Sequence, residues 1–194
     1  MNNSIDSLLK FINSSVTLCL EEESLISKYF EIKEYQKNEI ILNAGEICNY
    51  LYFIDKGLLR TFHVNANGSE FTRLIVSENK FCTILLSFQE RIASPATIQA
   101  LENTIVFAIS KENFEKITSI SANAQSLYEK ILEEFQNFQI KRIEFLTSFT
   151  PKEKTEIFLK ENSELETRLT DKVIASYLQI TPETYCRCKK NLES

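Results

Sequence analysis

The period of the hydrophobic pattern changes twice along this chain. From about Ser4 to Tyr29, Leu8, Leu9, Ile12 and Val16, then Leu25, Ile26 and Tyr29, recur at helical spacing and predict short helices. From Phe30 to about Ile109 the apolar residues come instead in short β-rich runs cut by turn signals: "EIILNAGEI", "YLYFIDKGLLRTFHV", "FTRLIV" and "TIVFAIS". Between two of these runs, residues 65–68 read "NANG" and supply Asn and Gly where a hairpin loop needs positive φ. Short strands at this regular spacing imply a sandwich or barrel.

After Lys111 the helical period returns. Leu127, Ile131, Phe135 and Phe138, joined by Leu132, Arg142, Phe145 and Leu146, form one amphipathic stripe with no Gly or Pro before Pro151. Two readings of so long a helix stand side by side: its stripe packs on the chain's own core, or it forms a seam with its twin in a dimer. A shorter helix, "PKEKTEIFLKENSEL", follows, with Pro151 suited to its first turn.

The last stretch, "LTDKVIASYLQITPETYCRCKK", predicts two helices around a tight turn. Thr170 can cap the first, whose Ile174 and Leu178 share a face, while Ala175 is small enough for another helix to pass closely. Thr181 suits the N-cap of the second, Pro182 its first residue, and Glu183 places negative charge at the positive end of the helix dipole. A helical wheel puts Tyr185, Cys188, Lys189 and Leu192 on one side, with Lys189 at the edge reaching out, and Glu183, Arg187 and Lys190 opposite. Arg offers a bidentate fork to guanine, Lys and Thr can hold phosphate, and Glu can accept from cytosine. The candidate DNA-binding residues are therefore Thr181, Glu183, Thr184, Arg187, Lys189 and Lys190. The plainer alternative is a helical hairpin with a solvated charged face.

Composition changes this picture little. The 194 residues are 43% hydrophobic and 25% charged, which excludes a disordered or fibrous chain. The net charge of -5 looks wrong for a nucleic-acid binder, but residues 165–194 carry five basic and four acidic side chains, a local +1. Affinity for DNA depends on cations near phosphates, and a dimer presents two such patches. Five scattered cysteines argue against a disulfide framework and for a reducing compartment. With no long apolar run and no basic leader in "MNNSIDSLLKFINSS", a cytoplasmic protein without a membrane partner is expected.

Catalysis finds little support. There is no nucleophile–base pair, phosphate-cradling Gly-rich loop or metal-ligand cluster, and the single His, His63, lies in a strand-like run. Cys186 and Cys188 resemble a ligand pair, yet on a helix their sulfurs point about 160° apart. No catalytic and no metal residues are assigned; Cys188 is expected in the core, and Cys186 is a candidate thiol switch beside the DNA face.

"IASYLQITPETYCRCKK" resembles the helix-turn-helix of Crp/Fnr-type bacterial transcription regulators, in which an "IAxxLGITPETLSR"-like run is characteristic. "ILNAGEICNYLYFIDKGLLRTF" is similar to that family's cyclic-nucleotide-binding-like β-roll, with Gly45 and Gly57 at its turn glycines. The resemblance spans about Phe30 to Lys190 in the family's order. It implies an α+β fold: a jelly-roll-like N-terminal β-roll flanked by helices, a long dimerisation helix, and a C-terminal helix-turn-helix domain. The expected boundaries are 1–116 for the sensor, 117–148 for the dimerisation helix and 149–194 for the DNA-binding domain.

In function, the resemblance implies a homodimeric regulator on a palindromic operator, with DNA, itself, RNA polymerase and a small effector as partners. Leu127, Ile131, Phe135 and Phe138 would form the dimer helix. The ligand pocket maps to Phe81, Cys82, Thr83, Arg91, Ser94 and Ala96. In nucleotide-binding members a Gly-Glu pair, then an Arg with a small neighbour before Ala, hold the ribose and cyclic phosphate. Here Cys82 and Thr83 replace Gly-Glu, and Ser94-Pro95 precede Ala96, with Arg91 three positions away. Loss of the bidentate phosphate contact and of the ribose acceptor predicts no cofactor, and no cAMP binding in the usual way. Gln179 stands where the family has Gly and must accept a left-handed conformation at about 1 kcal/mol. No wing is expected after the recognition helix. The alternative function is a ligand-binding or protein-interaction module that no longer touches DNA.

Overall fold

Leu8 and Ile12 lie one turn apart on the first helix, α1 (Asp6–Asn13), and both are buried. A computed structural model describes residues 5–193, and of Glu193 the backbone alone. The next helix, α2 (Leu20–Tyr29), starts at Cys19, whose N–H donates to the Glu22 carboxylate at 3.0 Å, half of a capping box. The alternating region then gives β1 (Phe30–Tyr35), β2 (Ile40–Leu42), β3 (Tyr50–Lys56), β4 (Leu59–Val64), β5 (Glu70–Val76), β6 (Phe81–Cys82), a short α3 (Leu85–Glu90), β7 (Thr97–Ala100) and β8 (Thr104–Ser110).

These strands form two four-stranded sheets, β1-β8-β3-β6 and β2-β7-β4-β5, where the short regular runs imply a sandwich or barrel and the family resemblance a β-roll. In the first sheet, β8 pairs antiparallel with β1 and β3, and Phe53 faces Phe107 across the ladder. Four successive residues of β3, Leu51 to Ile54, are buried, because helices cover one face of this sheet as the β-roll interior covers the other. Phe53 and Phe107 join Leu8, Ile12, Ile26 and Leu127 in a single apolar cluster. Gly57 permits the tight β3–β4 turn: its φ is 104°, and a Cβ there would meet Thr104 Oγ1 at 2.5 Å. The "NANG" loop is a hairpin in which Asn65 Oδ1 accepts from the N–H groups of Asn67 and Ser69. His63 stacks on Phe71 with ring centroids 5.4 Å apart, and its strand β4 lies between β7 and β5 rather than at the sheet edge.

Helices fill the rest of the chain: α4 (Lys111–Ile120), α5 (Ala122–Ser148), α6 (Pro151–Glu161), α7 (Ser163–Arg168), α8 (Asp171–Leu178) and α9 (Pro182–Glu193). Ser110 caps α4, and Thr150 with Glu153 forms a full capping box that places Pro151 in the first turn of α6. Two compact units result, one comprising the chain up to Thr61 with Ile75–Glu133, the other Phe62–Leu74 with Glu134–Ser194. The first holds the apolar cluster described above. The second is centred on Phe158, Ile174, Ala175, Leu178 and Tyr185. Among the described residues, no helix is long and apolar enough to cross a membrane.

Candidate sensor pocket and nucleic-acid interface

In the first unit, β6, α3 and the loop after it carry the residues that the nucleotide-binding resemblance singles out. Phe81 and Cys82 are neighbours on a strand and so face opposite sides. Phe81 turns toward the N-terminal helices, its ring 5.7 Å from Phe11 and 5.2 Å from Phe53. Cys82 is 1% exposed, and burial pushes its thiol far above the usual range, so it is an apolar filler rather than a nucleophile. Thr83 donates its hydroxyl to the Tyr50 carbonyl at 3.0 Å and lies 3.3 Å from Cys48 Sγ.

Arg91 terminates α3 in the left-handed region, φ 56° and ψ 32°. Its Nη2 donates to Asn49 Oδ1 at 2.7 Å and its Nη1 to the Cys48 carbonyl at 3.4 Å. Ser94 is buried, donates to the Ala96 carbonyl at 2.5 Å and accepts from the Ala96 N–H at 3.2 Å, while Ala96 is fully buried. Thr83, Arg91 and Ser94 therefore spend polar groups on the chain itself. Phe81, with its ring among Phe11 and Phe53, does not share a face with Cys82. Sequence reasoning missed Ser87, fully buried on α3, whose hydroxyl accepts from the Cys48 N–H at 2.9 Å and donates to the Ile92 carbonyl at 2.6 Å. Its one signal was a lone hydroxyl in the apolar run "LLSF".

The second unit builds the helix-turn-helix from local capping. Thr170 Oγ1 accepts from the Val173 N–H at 3.3 Å to start α8. Gln179 ends it at φ 55° and ψ 45°, and the next N–H, of Ile180, returns to the Ala175 carbonyl at 3.0 Å. Thr181 Oγ1 then accepts from the Thr184 N–H at 3.2 Å and opens α9. On the inner face Tyr185 is fully buried and Cys188 nearly so, as the helical wheel predicts. Thr181, Glu183, Cys186, Arg187 and Lys190 are exposed, and Thr184 is half-buried. The Cys186 thiol lies 3.7 Å from Asp171 Oδ2.

Lys189 is engaged within the unit. Its Nζ is 2.5 Å from Glu166 Oε1, and that hydrogen bond raises its pKa above the ordinary lysine value. The Glu183 carboxyl is held below its usual range, first by its own backbone N–H and then by Thr181, so it is an anion at neutral pH. Among the described residues, no group of three or more His, Cys, Asp or Glu is placed to hold a metal ion.

On α5, Leu127 is 8% exposed and Ile131 packs on the same cluster of the first unit, so both are occupied inside the chain. Phe135 and Phe138 are half-buried. Ile140 and Ile143 stand out at 58% and 63% exposure, on the flank of the wheel away from Leu127.

Residues 32–121 match the family model of the cyclic nucleotide-binding domain. Over most of the chain, the fold is similar to that of solved transcriptional regulators of the CRP/FNR type. It is similar to FixK2 from Bradyrhizobium japonicum, with a TM-score of 0.75 and 18% identity, covering 84% of each chain. It is likewise similar to CLP, a c-di-GMP responsive global regulator from Xanthomonas campestris, with a TM-score of 0.75 and 14% identity over 90% of this chain and 92% of that one. TTHA1359, a transcriptional regulator of the CRP/FNR family from Thermus thermophilus, matches with a TM-score of 0.68 and 17% identity over 84% and 86%. In sequence, 129 residues are 29% identical to the potassium channel GORK of Arabidopsis thaliana, 64% of this chain and 16% of the channel. The chain thus spans about a sixth of that relative's length.

Proposed function

We propose that this protein is a DNA-binding transcriptional regulator that acts as a homodimer on a two-fold operator. One observation carries the reading. α9 is started by Thr181, fixed from behind by buried Tyr185 and Cys188, and exposes Arg187 and Lys190 on its far side. That is the geometry of a helix that enters a major groove, with Arg187 set to read a base edge and Lys190 to hold phosphate. Lys189, paired with Glu166, supports α9 more than it reads DNA. In the dimer, the exposed flank of α5 around Ile140 and Ile143 forms the seam, since Leu127 and Ile131 are taken up by the chain's own core.

The β-roll is a sensor that does not take cAMP in the usual mode: Arg91 is bound to Asn49 and Cys48, and neither Cys82 nor Thr83 supplies a carboxylate for the ribose. Calorimetric titration with cAMP is expected to show no stoichiometric micromolar binding. The DNA reading is tested by salt-dependent retention of the purified protein on the DNA upstream of its own gene, with a scrambled duplex as control. Retention of both duplexes alike, or of neither, favours the protein-interaction alternative.

A further inference from the structure

Within the second unit, Arg142 on α5 is 6% exposed, and Lys154 on α6 is 8% exposed. Their charges act on one another: burial first, then Arg142, lowers the Lys154 pKa, and burial lowers that of Arg142. Among the described residues neither forms an ion pair with a carboxylate. Nη2 of Arg142 donates to the Tyr177 carbonyl in the last turn of α8, where a cation complements the helix dipole. The guanidinium lies 3.8 Å from the Tyr177 ring centroid and 5.6 Å from that of Phe145. These contacts account for one of its donors; the buried Nε has no hydrogen-bond partner.

Arg142 also lines a cleft of about 440 Å³, walled by Phe138, Phe145, Phe149 and Phe158, with Lys141, Asn162 and Glu161 as its other polar groups. Two buried cations without a counter-charge are costly, and an unmet guanidinium donor adds to that cost. An anion entering the cleft would bring a counter-charge to Arg142, which lines it. The aromatic walls select its body and the single lining guanidinium its head, since a planar carboxylate matches the guanidinium fork. A compact dianion suits this lining poorly, because it would bring two charges into an apolar cleft that already carries Glu161.

We propose that this cleft binds a small organic monocarboxylate with an aromatic body, its head on Arg142 and its ring among the phenylalanines. Bound there, the ligand ties α5 to α8, the helix that leads through Gln179 into α9. The proposal does not depend on the DNA reading.

The test is a titration of the full chain with sodium benzoate, followed by aromatic NMR shifts and by the thermal midpoint, with inorganic phosphate and sodium chloride in parallel. Saturable benzoate-induced shifts of the Phe138, Phe149 and Tyr177 rings are expected, with phosphate at least tenfold weaker. Arg142→Met should weaken benzoate binding at least tenfold, and Lys154→Met by less. If Arg142→Met does not fold, the ring shifts of the unaltered protein decide. Absence of those shifts at millimolar benzoate, binding that Arg142→Met leaves intact, or phosphate binding as tightly as benzoate would each overturn the proposal.

Discussion

Two helices of this chain, α3 and α8, end in the same way and serve opposite purposes. Each passes into its loop through a left-handed residue that is not glycine, Arg91 at φ 56° and Gln179 at φ 55°. At the first, the side chain folds back: Arg91 donates to Asn49 and Cys48, and the neighbouring Thr83 and Ser94 bond to main-chain carbonyls. Groups that could have met a nucleotide hold the loop together. At the second, the Gln179 side chain is exposed and the turn rests on backbone bonds. The same backbone conformation thus ends one helix at a side chain bonded back to its own loop and another at an exposed one.

Breaking the core of the first region should produce the largest effect. Leu127→Ala is expected to cost about 2–5 kcal/mol in urea unfolding, because Leu127 lies in the cluster with Phe53 and Phe107. A small cost in stability with loss of dimer instead would return Leu127 to the seam. On the presented face, Arg187→Ala should weaken specific DNA binding by about 1–3 kcal/mol by fluorescence anisotropy, whereas Lys190→Ala should weaken all sequences alike. Equal losses on specific and random duplexes for both variants would contradict these roles.

A smaller effect tests the polar clasp at the base of the first unit. Glu22 accepts from Ser121 at 2.5 Å, then from the Cys19 N–H and Asn123, and these bonds hold its pKa at about 2. A carboxyl depressed in the folded state contributes its full stability above the unfolded value of about 4.3 and loses it as pH falls toward 2. The wild type should therefore lose more stability between about pH 5 and pH 2 than Glu22→Gln, by about 1 kcal/mol after solvent screening. Parallel acid-unfolding curves would remove the clasp from the account.

The smallest effect separates the two turns most sharply. Gln179→Gly should stabilise by up to about 1 kcal/mol, as relief of left-handed strain at an exposed side chain gives up little in return. Arg91→Gly gains the same relief but loses the bonds to Asn49 and Cys48, so it should be neutral or destabilising in thermal unfolding. Identical responses at the two sites would erase the distinction between them.

Much of this was legible because it is local. Thr170, Thr181 and Gln179 declare themselves by capping and turn chemistry within a few residues, and the buried side of α9 follows from the helical wheel. What failed to show depends on distant partners. The stripe of α5 could serve either a core or a seam, and only the fold shows that Leu127 and Ile131 are used by the core. Lys189 finds Glu166 across a sequence gap of 23 residues. That Phe81 faces the N-terminal helices was illegible in the sequence, because β6 is two residues long and offers no periodicity to read. Arg142 resembled one more member of a helical stripe until burial and the absent counter-charge set it apart.

The central claim is that α9 reads DNA in a two-fold dimer, and genome-wide mapping of the DNA bound by the tagged protein in its own cells tests it most directly. The account predicts discrete sites containing inverted repeats, with half-site centres about 34 Å apart along the duplex, and loss of those sites in Arg187→Ala. No enrichment over an untagged control, or an enrichment pattern that Arg187→Ala leaves unchanged, would contradict it.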